Sequence, residues 1–168
     1  MTEAQALRFS MWPTQRAFYL DTFEHVAFIA GYGSGKSLTA CRKAVRLAAQ
    51  NPGCRGQFVS PTYRLMLDTV WGQFQEVLEA AEIPFDVRKS DHEIYLPWFD
   101  HTVLFRSAEK PQRLKGPNLA WFNMDEAGQQ LEEAHDVMLS RVRDPRARVR
   151  QGILTTTPEG LNWVYDVC

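Results

Sequence analysis

Residues 31–37 read GYGSGKS, preceded by the strand-length apolar run Val26-Ala27-Phe28-Ile29 and followed by a helix-periodic segment. No other stretch leaves the chain so few choices. Glycines at 31, 33 and 35 let the backbone curl so that successive N–H groups point into one concavity. The start of the next helix adds its own unsatisfied donors and its positive dipole end. Such a loop suits a triphosphate. Lys36 is placed to bridge the outer phosphates, and the Ser37 hydroxyl to complete the coordination of a Mg²⁺ ion that keeps most of its waters. The stretch departs from G-x-x-x-x-G-K-[ST] at its first position, Ala30. Nucleotide contacts are therefore expected from Ala30, Gly31, Tyr32, Gly33, Ser34, Gly35, Lys36 and Ser37.

At 168 residues the chain suits one domain, long enough to bury roughly 70% of its unfolded surface without staples. Hydrophobic content of 45% with five tryptophans argues against disorder. No apolar run approaches the roughly 20 residues that span a bilayer, and the amino terminus has no apolar signal core, so a membrane partner is not expected and the cytosol is the default. Cys41, Cys54 and Cys168 lack metal-ligand spacing and read as reduced thiols. His25, His92, His101 and His135 likewise form no ligand set. A net charge of −1 confines any nucleic-acid contact to a local patch.

In chain order, Pro13-Thr14 opens a helix that carries Gln15, whose amide can donate to and accept from an adenine edge. After the loop, Leu38, Cys41, Val45 and Ala48 recur at helical spacing until Asn51-Pro52-Gly53. Gln57–Val59 form a short strand. Ser60-Pro61-Thr62-Tyr63 then turns into a helix with Met66, Val70, Phe74, Val77 and Ala81 on one face. Between residues 85 and 107 the short apolar pieces Ile94–Leu96 and Val103–Phe105 indicate a small hairpin insertion.

Residues 119–126, LAWFNMDE, form an apolar strand ending in two carboxylates. In an open parallel sheet the ligand crevice lies beyond the carboxyl ends of the strands, so both acids emerge where the phosphate loop emerges. Asp125 suits a water-mediated Mg²⁺ contact, and Glu126 the activation of an attacking water. Asn123, inside this strand, needs a partner if buried. A further strand, Gly152–Leu154, leads into Thr155-Thr156-Thr157-Pro158, whose hydroxyls are placed to sense a γ-phosphate. Two basic features remain: RVRDPRARVR at 141–150, with five arginines, and Arg113-Leu114-Lys115-Gly116. They suit DNA phosphates or a neighbouring subunit's nucleotide.

Taken together, Gln15, GYGSGKS, the VSPTY turn at 59–63, RLKGPNLAWFNMDEA at 113–127 and LTTTPEGLNWVYD at 154–166 resemble the ATPase domain of the large terminase subunit of tailed bacteriophages. The resemblance implies a three-layer α/β P-loop NTPase fold of the additional-strand catalytic-glutamate type, with a mostly parallel sheet. It implies Mg-dependent ATP hydrolysis that drives double-stranded DNA into a procapsid, in the host cytoplasm. The partners would be a homo-oligomeric ring, the portal protein and the small terminase subunit. Glu126 would match the catalytic position, Asp125 the metal-holding one, and Thr156 and Thr157 the motif that couples hydrolysis to movement.

Some members carry a trans-acting finger before the acidic strand. Lys115 occupies that position here, Arg113 is close by, and Arg141 and Arg143 are rivals. Tyr32 stands where many relatives have an arginine. The family's carboxyl-terminal nuclease has no room in 168 residues, which suggests a chain truncated within a helix. A helicase motor half-domain and a non-hydrolysing nucleotide-binding or assembly fragment remain alternatives.

Overall fold

A computed structural model describes residues 9–158, 160 and 162–167; Cys168, and Glu159 and Leu161 of the last motif, lie outside the described residues. Seven strands form one sheet in the order β1-β7-β6-β2-β5-β4-β3. These are β1 (His25–Ile29), β2 (Arg55–Ser60), β3 (Asp86–Arg88), β4 (Glu93–Leu96), β5 (His101–Ser107), β6 (Trp121–Asp125) and β7 (Gln151–Thr156). The neighbours β1, β7, β6, β2 and β5 are all parallel, so Ile29, Thr156, Asp125, Ser60 and Ser107 end on one edge. That shared edge follows from the helical crossovers, because a strand–helix–strand unit returns the chain to its starting side.

The expected hairpin is present, and it is continuous with the sheet. β4 pairs antiparallel with β5, which itself pairs parallel with β2, and β3 adds a short outer strand.

One face of the sheet is covered by α1 (Pro13–Leu20), α2 (Lys36–Gln50), α3 (Tyr63–Met66) and α4 (Gly72–Ala80). A π-helical segment, Leu67–Trp71, joins α3 to α4 and keeps Met66, Val70, Phe74 and Val77 all buried. The other face packs under α5 (Glu132–Leu139) and α6 (Trp163–Val167), with Leu114, Leu119, Phe122, Met124, Met138 and Val164 forming a second core. The three layers are thus helix, sheet and helix. No helix among the described residues is long and apolar enough to cross a membrane.

Two contacts fix how these elements pack, one between strands and one between helices. Gly56 of β2 sits against the fully buried Trp121 of β6, where an added Cβ would come 1.9 Å from the indole. Only glycine permits that approach. On the first face, Lys43 of α2 is 1% exposed and donates to Phe18 O at 2.8 Å and Asp21 O at 2.6 Å. It caps the carboxyl end of α1 and ties that helix to α2. Burial, with Arg46 adding to it, pushes the Lys43 ammonium down to about 8.

At the sheet's opposite edge, Asn51 stops α2 as expected. Its Oδ1 also accepts from Arg148 N and Val149 N, each at 2.9 Å. His101 is fully buried beside it. Nδ1 lies 2.9 Å from Asn51 O, and Nε2 is 3.2 Å from Trp121 Nε1. Indole N–H only donates, so Nε2 must accept and Nδ1 must carry the proton. A second proton would break the Trp121 bond.

Burial accordingly pushes the His101 pKa down to about 4. An unfolded imidazole titrates near about 6.5, so on acidification the unfolded chain takes up this proton first. The His101 contribution, on the order of 3 kcal/mol, is present above about pH 6.5 and is lost as pH falls towards 4. Urea midpoints measured from pH 7.5 to 4 should fall more steeply for the wild type than for His101→Gln. Equal slopes would mean that His101 does not set this acid limit.

Candidate functional site

The phosphate loop runs from the end of β1 to the start of α2, and the two glycines that shape it have positive φ: Gly33 at 73° and Gly35 at 77°. A Cβ added at Gly31 or Gly33 would meet nothing within 4 Å, so the concavity is open there. At Gly35 a Cβ would lie 2.7 Å from Gln15 Nε2. Gln15 is buried beneath the loop, donating to Ser34 O at 2.9 Å while its Oε1 accepts from Trp12 N at 3.0 Å. The side chain proposed for adenine therefore braces the loop backbone, with one further N–H and lone pair beyond these two bonds. Tyr32 is exposed, and its ring centroid lies 5.8 Å from Lys36 Nζ.

Lys36 opens α2 with its ammonium 2.9 Å from Ala30 O, 3.2 Å from Gly31 O and 3.1 Å from Thr157 Oγ1. One position further on, Ser37 Oγ donates to Asp125 Oδ1 at 3.0 Å. The same carboxylate oxygen accepts from Thr155 Oγ1 at 2.9 Å. Asn123 donates weakly to Thr155 Oγ1 at 3.4 Å, which gives the amide N–H of this buried strand asparagine a partner, while its Oδ1 has none among the described residues. Asp125 is 1% exposed and takes part in no ion pair among the described residues. Burial raises its pKa; the Glu126 charge adds to that, while the Thr155 and Ser37 hydroxyls and Lys36 oppose it.

Glu126 turns the chain out of β6 in a left-handed conformation, φ 47° and ψ 52°. For a non-glycine residue this costs roughly 1–2 kcal/mol and calls for support from its surroundings. Its Oε2 accepts from Thr157 N at 3.0 Å, its Oε1 accepts from Thr157 Oγ1 at 3.3 Å, and Lys36 Nζ lies 3.9 Å from Oε1. Thr157 thus links the lysine to the glutamate.

Strand alternation separates the threonines. Thr155 and Thr157 face Asp125, Lys36 and Glu126, whereas Thr156 Oγ1 accepts from Gly128 N and donates to Thr157 O, both at 3.1 Å. Of the two threonines expected at the nucleotide, the structure brings Thr157 to the charged groups and turns Thr156 towards the turn after Glu126.

The candidate fingers are not gathered here. Arg113 and Lys115 are exposed on the α5 face. Arg141 reaches Ser140 Oγ and Gly116 O, and Arg143 reaches Asn118 Oδ1. Their segment leads into the start of β7, at the sheet edge opposite the loop. Any finger role for Arg141 or Arg143 must be exerted on another molecule.

Three contributors were missed from the sequence. Thr155 was not singled out from its threonine run. Gln130 is buried and bonded to Asp125 O, and Trp163 Nε1 bonds to Gln130 O at 2.8 Å.

The donor set fits Mg²⁺. A hydroxyl and one carboxylate are hard oxygen ligands, and no cluster of three His, Cys, Asp or Glu offers an all-protein cage among the described residues. That is the sparse protein contribution Mg²⁺ accepts when waters and phosphates complete its shell. Ser37 and Asp125 are the residues that would hold it.

The fold and this loop define a P-loop NTPase-type α/β domain. Residues 23–168 match the family model described as phage terminase large subunit, and the chain belongs to that family. It is similar to the large terminase subunits of Thermus virus P23-45 and Thermus phage G20c. Each is 28% identical over 172 aligned positions, covering 90% of this chain and 34% of the relative. The chain therefore spans about a third of the length of these relatives.

Among solved structures, the large terminase ATPase domain of Thermus phage P74-26 superposes with a TM-score of 0.74 at 22% identity, covering 94% of this chain and 69% of that one. The large terminase of a thermophilic bacteriophage in complex with ATP-γ-S gives a TM-score of 0.75 at 13% identity, covering 90% and 39%. These two likenesses concern the fold.

Proposed function

We propose that residues 1–168 form a single ATPase domain that hydrolyses Mg-ATP to move double-stranded DNA into a viral procapsid. The single observation that carries this is the meeting of Lys36 and Ser37 with Asp125, Glu126 and Thr157, residues about ninety to 120 positions apart, within hydrogen-bond or ion-pair distance. A helix cap or a solvated lysine accounts for none of these cross-strand contacts.

In this mechanism the loop amides and Lys36 hold the outer phosphates and offset charge on the transferring phosphoryl group. Mg²⁺, held by Ser37 and Asp125, supplies further charge neutralisation when bound. Glu126 takes the proton of the attacking water, with Thr157 N–H and Lys36 directing its carboxylate. Gln15 keeps the loop in shape from beneath. The proposed setting is the host cytoplasm. The proposed partners are a homo-oligomeric ring, the portal protein and the small terminase subunit, with no membrane. The finger is assigned to a neighbouring subunit's Arg113 or Lys115 in that ring, adding roughly 10³ to 10⁵ in rate if arginine serves. Lysine lacks the planar fork that spans two phosphate oxygens, which favours Arg113.

Glu126→Ala should retain ATP binding in a fluorescent-nucleotide titration while phosphate release falls roughly 10² to 10⁴-fold. Undiminished release would remove Glu126 from the chemistry. For the finger, Lys36→Ala subunits mixed with Arg113→Ala subunits should regain activity that neither has alone, and Lys115→Ala mixtures provide the comparison. Absence of rescue in every pairing would contradict a shared site.

A further inference from the structure

Gln130 lies five residues beyond Asp125 and is 6% exposed. Its amide Nε2 donates both hydrogens to backbone carbonyls, at 2.8 Å to Asp125 O and at 3.1 Å to Val59 O. The β2–β6 ladder ends at the pair Val59 and Met124. Gln130 therefore continues the joining of the two strands past the point where main-chain pairing stops.

Asp125 O belongs to the peptide unit immediately before Glu126. Rotation about the Glu126 N–Cα bond relative to that unit is φ, and its value of 47° is unfavourable for a side-chain-bearing residue. Fixing that carbonyl fixes one side of the strained torsion. The other side is held by the turn itself, with Gln129 N donating to Glu126 O at 3.0 Å and Gln130 N to Ala127 O at 2.9 Å.

The same turn is gripped from β7 and α6. Gly128 N donates to Thr156 Oγ1 at 3.1 Å, Asn162 Nδ2 lies 3.5 Å from Gly128 O, and Trp163 Nε1 donates to Gln130 O at 2.8 Å. A Cβ at Gly128 would come 2.8 Å from Asn162 Nδ2 and 3.0 Å from Thr156 Oγ1. Gln130 thus connects the end of β2 at Val59, the acidic strand end at Asp125 and, through its own carbonyl, Trp163.

We propose that Gln130 is a positioning residue that holds Glu126 in its working backbone conformation and makes that conformation depend on β2 and α6. The proposal rests on Glu126 acting as the base. Loss of the two donors leaves Asp125 O and Val59 O without this partner and lets the 125–126 peptide rotate. The Glu126 carboxylate then no longer points consistently at Thr157 and Lys36, although the phosphate loop is untouched.

Gln130→Met keeps side-chain length and removes both donors. Gln130→Glu keeps shape and polarity; facing two carbonyls, its buried carboxyl is held protonated and retains at most one of the two donors, so it reports on the pair even if the methionine variant does not fold. Either should lower kcat by roughly 10- to 100-fold with KM for ATP nearly unchanged. In a Glu126→Ala background, neither should lower kcat further, because Gln130 acts through Glu126. Amide exchange at residues 127–130 should accelerate while the interior of α2 is unchanged, a readout independent of turnover.

A wild-type kcat, an equal loss in the Glu126→Ala background, or unchanged exchange at 127–130 would overturn the proposal. If the wild type itself binds ATP without hydrolysing it, the function proposed above fails. The exchange measurement then decides alone whether Gln130 holds this turn.

Discussion

A carboxylate removed from water must be repaid in hydrogen bonds or by a cation, and Asp125 is the place where this constraint shapes the molecule. At 1% exposure it keeps two hydroxyl donors, one from the first turn of α2 and one from the end of β7. Those two bonds join the phosphate loop, the acidic strand and the threonine strand at a single oxygen. Burial still raises its pKa, so the carboxylate remains a group that a divalent cation would stabilise. The parallel order β1-β7-β6 makes the meeting possible, since it brings the three strand ends side by side.

Support for this point spreads outward through polar side chains in the interior. Asn123 bonds to Thr155, which bonds to Asp125; Gln130 bonds to the Asp125 carbonyl; Lys43 caps α1, which carries Gln15 beneath the loop. Each of these bonds pairs a buried donor with an acceptor across elements, and together they give the site a fixed geometry. The left-handed backbone of Glu126 is tolerated within this network because Thr157 holds its carboxylate and the following turn holds its carbonyl.

Much of this was readable beforehand. The loop, the helix after it and the strand ending in Asp125-Glu126 were legible because glycine spacing, 3.6-residue periodicity and an apolar run before two acids each have one economical structural meaning. The order of strands was not, because β5 reads as one arm of a hairpin and only its partner β2 makes it part of the parallel sheet. Thr155 was hidden in a run of three like residues whose alternation depends on register. Gln130 and Lys43 look like solvent-facing residues, since nothing local says that a polar side chain will find carbonyls across a tertiary contact. The five arginines at 141–150 lie at the edge of the sheet opposite the loop, so the phosphates their composition suits are those of another molecule.

The central claim is that Ser37 and Asp125 make one metal-dependent nucleotide site with the loop. It is tested most directly by titrating a fluorescent ATP analogue into the chain with Mg²⁺ and with EDTA, for the wild type and for Asp125→Asn. Mg²⁺ should tighten binding to the wild type, and Asp125→Asn should abolish that increment while leaving metal-free binding intact. An Asp125→Asn chain that keeps the full Mg²⁺ increment would contradict the account.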